Sequence, residues 1–173
     1  MWQFFKKWLT YFSDGLTRQA ITELLFWCVN NYIIAPAGLA TGAFATPVVG
    51  SNPLIAMING AVVSKAAGSA FPALTGLSLA AGQTGCVLFG IDANGTLYSF
   101  ISPTILASAT SLVGLVWPVP ADSIPTVIVG GVIIQNATNP FVGGTTNLNA
   151  TGVTSTFFNA PAGSAPFAPV TFR

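Results

Sequence analysis

The stretch Cys86-Val-Leu-Phe-Gly-Ile-Asp-Ala-Asn-Gly-Thr-Leu-Tyr-Ser-Phe-Ile101 decides the fold. It sets two apolar runs, Cys86–Ile91 and Thr96–Ile101, on either side of Asp92-Ala-Asn-Gly95. Aliphatic and aromatic side chains fit a half-buried pleated surface. Asp, Asn and Gly supply the backbone conformations of a tight turn. The stretch therefore predicts a β-hairpin. Upstream, Leu54–Ile58 and Ala61–Ser64 flank Asn59-Gly60, the strongest short hairpin signal. Downstream, Leu112–Trp117 reads as a strand stopped by Pro118 and Pro120. Thr126–Ile134 is a long β-branched run in which Gly130-Gly131 marks a bulge. Val153–Phe158 alternates with Thr and reads as a late strand. Short strands at this spacing predict a mainly β body, either a β-sandwich or a small β-barrel.

Composition limits what such a body can do. The chain has 173 residues, five Lys or Arg, four Asp or Glu and no His. Charged residues make up 5% of it, against roughly 25% in an average soluble domain. Without His there is no imidazole base to activate a Ser or Cys nucleophile. The acidic residues are scattered: Asp92 and Asp122 fall in turn sequences, where Asp favours the turn itself. No Gly-rich stretch is followed by the Lys and Ser or Thr of a phosphate loop; Gly82-Gln83-Thr84-Gly85 reads as a plain loop. No catalytic residue, cofactor site or metal site is expected. A net charge of +1 with no basic stripe argues against nucleic acid.

Low charge with 52% hydrophobic residues leaves two explanations, a membrane protein or a subunit covered by neighbours. No conventional spanning helix is expected. Leu24–Ile34 is too short, and prolines and hydroxyl residues interrupt Phe100–Ala121. Asp14, Arg18 and Glu23 break up the apolar run a secretory signal would need. Cys28 and Cys86 read as buried free thiols. The sequons at Asn94, Asn136 and Asn149 are expected by chance in a chain this rich in Asn and Thr. Lys65, the only Lys of the body, reads as ordinary surface chemistry.

The chain divides near residue 35. All 12 prolines lie at Pro36 or later, and five of the nine charges lie in the first 23 residues. Residues 1–35 are read as a helical anchor or stem, 36–159 as the β-rich body, and 160–173 as an extended Pro- and Ala-rich tail. Over residues 2–34, Trp2, Phe5, Leu9, Phe12, Leu16, Ala20, Leu24 and Trp27 step by three or four and share one helical face. Trp2, Phe5, Leu9, Phe12, Leu16, Leu24 and Trp27 are the candidate interface residues. Such a face can lie on a membrane, pack against copies of itself or dock on a partner. Its width and aromatic content favour self-association or docking, with a trimer as the preferred oligomer.

Four phrases carry a resemblance. They are Ile58-Asn-Gly-Ala-Val-Val-Ser-Lys-Ala-Ala67, Leu79-Ala-Ala-Gly-Gln-Thr-Gly-Cys86 with the hairpin through Tyr98, Val119-Pro-Ala-Asp-Ser-Ile-Pro-Thr126 with the run to Ile134, and Phe141-Val-Gly-Gly-Thr-Thr-Asn-Leu-Asn-Ala-Thr-Gly-Val-Thr154. Their order resembles a group of bacteriophage virion structural proteins, including head-fibre and capsid-decoration types, over about residues 55–159. Met1–Ile34 lies outside the similarity. The resemblance implies a non-enzymatic β-rich component on the capsid exterior or attached to it, with the major capsid protein among its partners. Two other readings stand beside it. One is a membrane-interface protein, which would use Trp2, Phe5, Lys6, Lys7 and Trp8 and would suit a virus with an internal membrane. The other is a carbohydrate- or receptor-binding module with Tyr98, Trp117 or Phe141 stacking on sugars.

Overall fold

The computed structural model describes residues 30–42, 47–48, 50, 52–118 and 126–163. Within them the chain is mainly β: β1 (Tyr32–Ala35), β2 (Ala40–Thr41), β3 (Pro47–Val48), β4 (Leu54–Ile58), β5 (Ala61–Lys65), β6 (Ser78–Leu79), β7 (Gln83–Asp92), β8 (Leu97–Ile101), β9 (Thr126–Asn136), β10 (Phe141–Val142) and β11 (Val153–Asn159). β11-β9-β7-β8 form a four-stranded antiparallel sheet, and β1-β4-β5 a three-stranded one. β10-β6 and β2-β3 are two-stranded. Among the described residues no sheet closes into a barrel, so the small-barrel alternative is not what forms.

The two predicted hairpins form where their turn chemistry places them. Asn59 and Gly60 both take positive φ, 52° and 78°, and pair Ile58 with Ala61 across a two-residue loop. That backbone twist matches the twist of the flanking strands. In the second hairpin Gly95 N–H donates to Asp92 C=O at 3.0 Å, and Asp92 N–H to Thr96 C=O at 3.1 Å. Gly95 takes φ +78°, which lets the chain re-enter β8 one residue late.

The longest strand shows how local sequence sets packing. Between Phe89 and Gly90 of β7 the partner in β9 jumps from Gly130 to Ile128, so Val129 is an extra residue in β9. Side chains alternate faces along a strand, and one extra residue reverses that alternation. Val127 and Val129 reach the core before the bulge, and Val132 and Ile134 after it. The bulge forms one residue earlier than expected, at Val129-Gly130 rather than Gly130-Gly131, and it keeps an 11-residue strand facing one core.

That core draws on both larger sheets. Val87, Phe89 and Ile91 from β7 join Ile33 from β1 and Leu54, Ala56 and Ile58 from β4. Phe71, Leu74, Leu77, Leu79, Phe141 and Leu148 fill it from loops and short strands, with the Phe71 and Phe89 rings 4.9 Å apart. Full burial of one such side chain is worth about 1.5–3 kcal/mol. The spacer Gly143-Gly144 has a steric role: a Cβ on Gly143 would overlap the Leu74 carbonyl.

Three expectations need correction. Leu112–Trp117 is not a strand; it is a turn and irregular backbone, because its polar groups bond to serine hydroxyls and β7 rather than to a neighbouring strand. Gln83–Gly85 begins β7 instead of forming a loop, because Gly82 already provides the turn at φ +80°. Residues 32–35 are β1, not the end of a helix, since Ile33 is needed in the core opposite Ala56. The remaining helical reading of the N-terminus, with Trp2, Phe5, Leu9, Phe12, Leu16, Leu24 and Trp27, lies outside the described residues. The beginning of the tail is tied to its own body, with Gly163 N–H donating to Ile33 C=O at 2.7 Å.

Candidate functional site

Charge is the first thing a site here lacks. Among the described residues only Lys65 and Asp92 carry one. Asp92 is 6% exposed and its carboxylate is already engaged. One oxygen accepts from Asn94 N–H at 2.9 Å and Thr96 N–H at 2.7 Å, and the other from Tyr98 O–H at 3.0 Å. Burial pushes its pKa up, but the hydrogen bonds from Thr96, Tyr98 and Asn94 outweigh this and hold it below the ordinary value. The same contact raises the Tyr98 phenol. Asp92 is thus a structural cap of the hairpin, not a free acid.

Lys65 lines an open depression of about 490 Å³ with Phe71, Asn94, Gly95 and Thr96. The wall carries no carboxylate. Among the described residues no group of three His, Cys, Asp or Glu could hold a metal ion.

The distinctive surface lies on the side of the four-stranded sheet that faces away from the core. Residues of β7 that alternate with the core positions point there: Thr84, Cys86, Leu88 and Gly90. The chain from Ser102 to Pro118 crosses this face and is held to it by hydrogen bonds. Thr84 and Leu106 exchange backbone bonds at 3.0 and 2.9 Å. Thr84 Oγ1 donates to Ser108 C=O at 2.6 Å, and Gln135 Nε2 to Ala109 C=O at 2.7 Å. Ser102 Oγ and Cys86 Sγ both donate to Val116 C=O. Burial raises the Cys86 thiol pKa, against a smaller lowering by its hydrogen bond with Ser102.

Glycines let rings settle on the same face. Phe158 lies over Gly131, where a Cβ would strike its ring. Trp117 packs edge-on against Phe158 at 5.0 Å. Phe100 lies against Gly90, and its ring stacks beside Tyr98 at 6.0 Å.

The crossing segment forms an apolar shelf. Ser108 Oγ accepts from Thr110 and Ser111 N–H, and Ser111 Oγ accepts from Val113 N–H. Leu115 N–H then donates to Leu112 C=O at 3.1 Å, closing a turn with Gly114 at φ +88° against the Leu106 side chain. Leu106 anchors inward while its neighbours face water. Ile105, Leu112, Val113, Val116 and Trp117 account for five of the eight large hydrophobics exposed among the described residues. Val113, at the tip, is 87% exposed.

The sequence reading singled out Tyr98, Trp117 and Phe141 as possible sugar-stacking residues. The structure separates them: Phe141 is fully buried in the core, Tyr98 is half-buried against Phe100, and Trp117 is on the shelf. The shelf as a unit went unrecognised because Leu112–Trp117 reads as a strand. The hydroxyl cluster Ser108, Thr110 and Ser111 and the glycine at 114 are the signals that distinguish an anchored loop. Asn136 is fully buried and donates through Nδ2 to Leu79 and Ala80 C=O, so its sequon is closed to a glycan.

No helix among the described residues is long and apolar enough to cross a membrane. Comparison of the chain with protein-family models, with curated proteins and with solved structures finds no match.

Proposed function

We propose that the chain is a non-enzymatic virion structural protein of a bacteriophage, a decoration or head-fibre-like subunit on the capsid exterior. In this reading it assembles as a homo-oligomer, with a trimer favoured, through its N-terminal segment and its β body. The major capsid protein is its partner. The body is read as an open β-sandwich whose two layers are the three- and four-stranded sheets.

The observation that carries the reading is how little charge the described residues present. A free monomer keeps itself apart from its neighbours by surface charge. Over the described residues this chain offers one free cation, Lys65, and one carboxylate already spent on its own turn. It also holds an apolar shelf in place with hydrogen bonds. Large exposed apolar patches mark interaction surfaces. The turn phrases of residues 55–159, in their resemblance to phage virion structural proteins, suggest the biological setting.

The test is mass spectrometry of gradient-purified particles from a lysate of cells that carry the gene. Peptides of this chain should sediment with the capsid protein at a fixed ratio. Their recovery only from the soluble fraction would sink the virion reading.

A further inference from the structure

We propose that β11, the outer strand of the four-stranded sheet, pairs antiparallel with β11 of a second copy of this chain, with Thr156 facing Thr156 across a two-fold axis. The inference goes beyond the virion reading and does not depend on it.

The ladder fixes which backbone groups are free. β11 and β9 pair without a break from Val153 opposite Asn136 to Asn159 opposite Gly130. The pairing continues past both ends, with Ala137 N–H donating to Gly152 C=O at 2.8 Å and Ala160 N–H to Val129 C=O at 3.0 Å. Bonded and non-bonded positions alternate in an antiparallel pair. Gly152 and Ala160 are bonded positions, so Thr154, Thr156 and Phe158 also turn their N–H and C=O toward β9. Val153, Ser155, Phe157 and Asn159 turn theirs outward. Val153 N–H is taken by Ala150 C=O at 3.0 Å. Among the described residues nothing bonds to the outward N–H and C=O of Ser155 and Phe157. Unpaired edge groups of this kind are a template for another strand.

The other outer strands are blunted. Gly163 N–H donates to Ile33 C=O at 2.7 Å, so the returning chain covers β1. Ser99 Oγ donates to Pro72 C=O at 2.9 Å, which holds that segment against β8. β5 has five residues and ends on Lys65. Short length and a Lys both protect an edge. β11 has seven residues and regular pairing, with no Pro and no charge.

The sequence of β11 selects its own copy as the occupant. Centring on Thr156 is the antiparallel register that overlaps the whole strand. It sets Ser155 opposite Phe157 on both sides of the axis, and each such pair exchanges two hydrogen bonds. Thr156 meets Thr156, and Thr154 meets Phe158. Thr–Thr and aromatic–β-branched pairs are favourable across strands. No charge meets its like, because the strand carries none. Phe157 is only partly buried against the core, and the second strand would cover its open side. The contact is isologous and joins copies in pairs, so it is a different interface from one that makes a trimer.

The experiment uses the full chain. T156C is oxidised with copper–phenanthroline, and linked peptides are identified by mass spectrometry. Facing non-bonded residues have Cα atoms about 4.5 Å apart, within reach of a disulfide. T154C is the register control: its two copies would lie four residues apart along the strands, about 14 Å, which no disulfide spans. The expected result is a dimer linked 156 to 156, and no such dimer from T154C. Absence of that link, or equal linking of T154C, overturns the proposal. So does a bond from position 156 to Cys28 of the same chain, which would mean that the chain's own beginning covers the edge. In parallel, T156K alters an exposed position and sets like charges face to face across the axis. It should halve the parent's mass in light scattering at equal concentration, with an unchanged β signal in circular dichroism. A parent that is the 17.8 kDa monomer, or a T156K chain that keeps the parent's mass, refutes the contact. These outcomes are read on the purified chain and not on particles, so the contact can fail while the virion reading stands, and the reverse.

Discussion

Gly131→Ala should be among the most damaging single-methyl additions the body can suffer. Gly131 sits in the centre of β9, opposite Phe158 on one side and Leu88 on the other. A Cβ there would overlap the Phe158 ring and lie 2.6 Å from the Val87 carbonyl oxygen. The ring can rotate, but only by giving up its edge contact with Trp117 at 5.0 Å. The carbonyl belongs to the central strand β7 and has nowhere to go. Overpacking a tight site costs about 1–3 kcal/mol, and loss of an aromatic pair about 0.5–1.5 kcal/mol more. The sum is about 3 kcal/mol, or a fall in Tm of about 6–12 °C for a chain of this size. Urea unfolding followed by circular dichroism measures it directly. The double variant G131A/F158A separates the two clashes. If the ring dominates, removing it recovers part of the loss; if the carbonyl dominates, the double variant is worse than either single one. A G131A protein within about 0.5 kcal/mol of the parent, the range of neutral surface changes, would refute the claim that the bare backbone at 131 is what seats Phe158.

Other substitutions probe the remaining local arguments. Asp92→Ala removes the acceptor for three hydrogen bonds and should cost about 2 kcal/mol in the same unfolding assay. Because the folded-state pKa of Asp92 is lowered, its contribution is present above the unfolded carboxyl value of about 3.9 and is lost as pH falls through the folded one. Acid titration should therefore destabilise the parent more than Asp92→Asn over that window; parallel curves would show that the charge is irrelevant. Gly143→Ala places a methyl on the Leu74 carbonyl and should lower Tm by several degrees, whereas Gly68→Ala meets no neighbouring atom and tests only the strain of φ +79°. Cys86 should resist a thiol reagent at pH 8 until the protein is unfolded, since it is fully buried with a raised pKa; rapid labelling at position 86 in the native state would contradict its place beneath Val116.

The amino-acid sequence by itself determined the parts of this protein that depend on local backbone chemistry. Asn59-Gly60 and Asp92–Gly95 dictate their hairpins because few residues tolerate the required φ values, and those residues stand at the required spacing. Gly130 at φ +151° signals a bulge, though the extra residue is Val129 and Gly131 stays in regular register. The scarcity of charge was also legible, and it limits function before any coordinates are known.

Tertiary structure decided what depends on partners distant in the chain. Tyr32–Ala35 has the composition of either a helix end or a strand, and pairing with β4 makes it a strand. Leu112–Trp117 has a strand's composition, yet among the described residues no neighbour offers it a ladder. Thr84, Cys86, Ser102 and Gln135, between 14 and 30 residues away from the carbonyls they bond, take the backbone of 108–116 instead. Those bonds turn an apolar run from a core strand into an exposed shelf. A polar backbone bonds to whatever donor the fold brings within about 3 Å, and the order of residues alone does not state which donor that is.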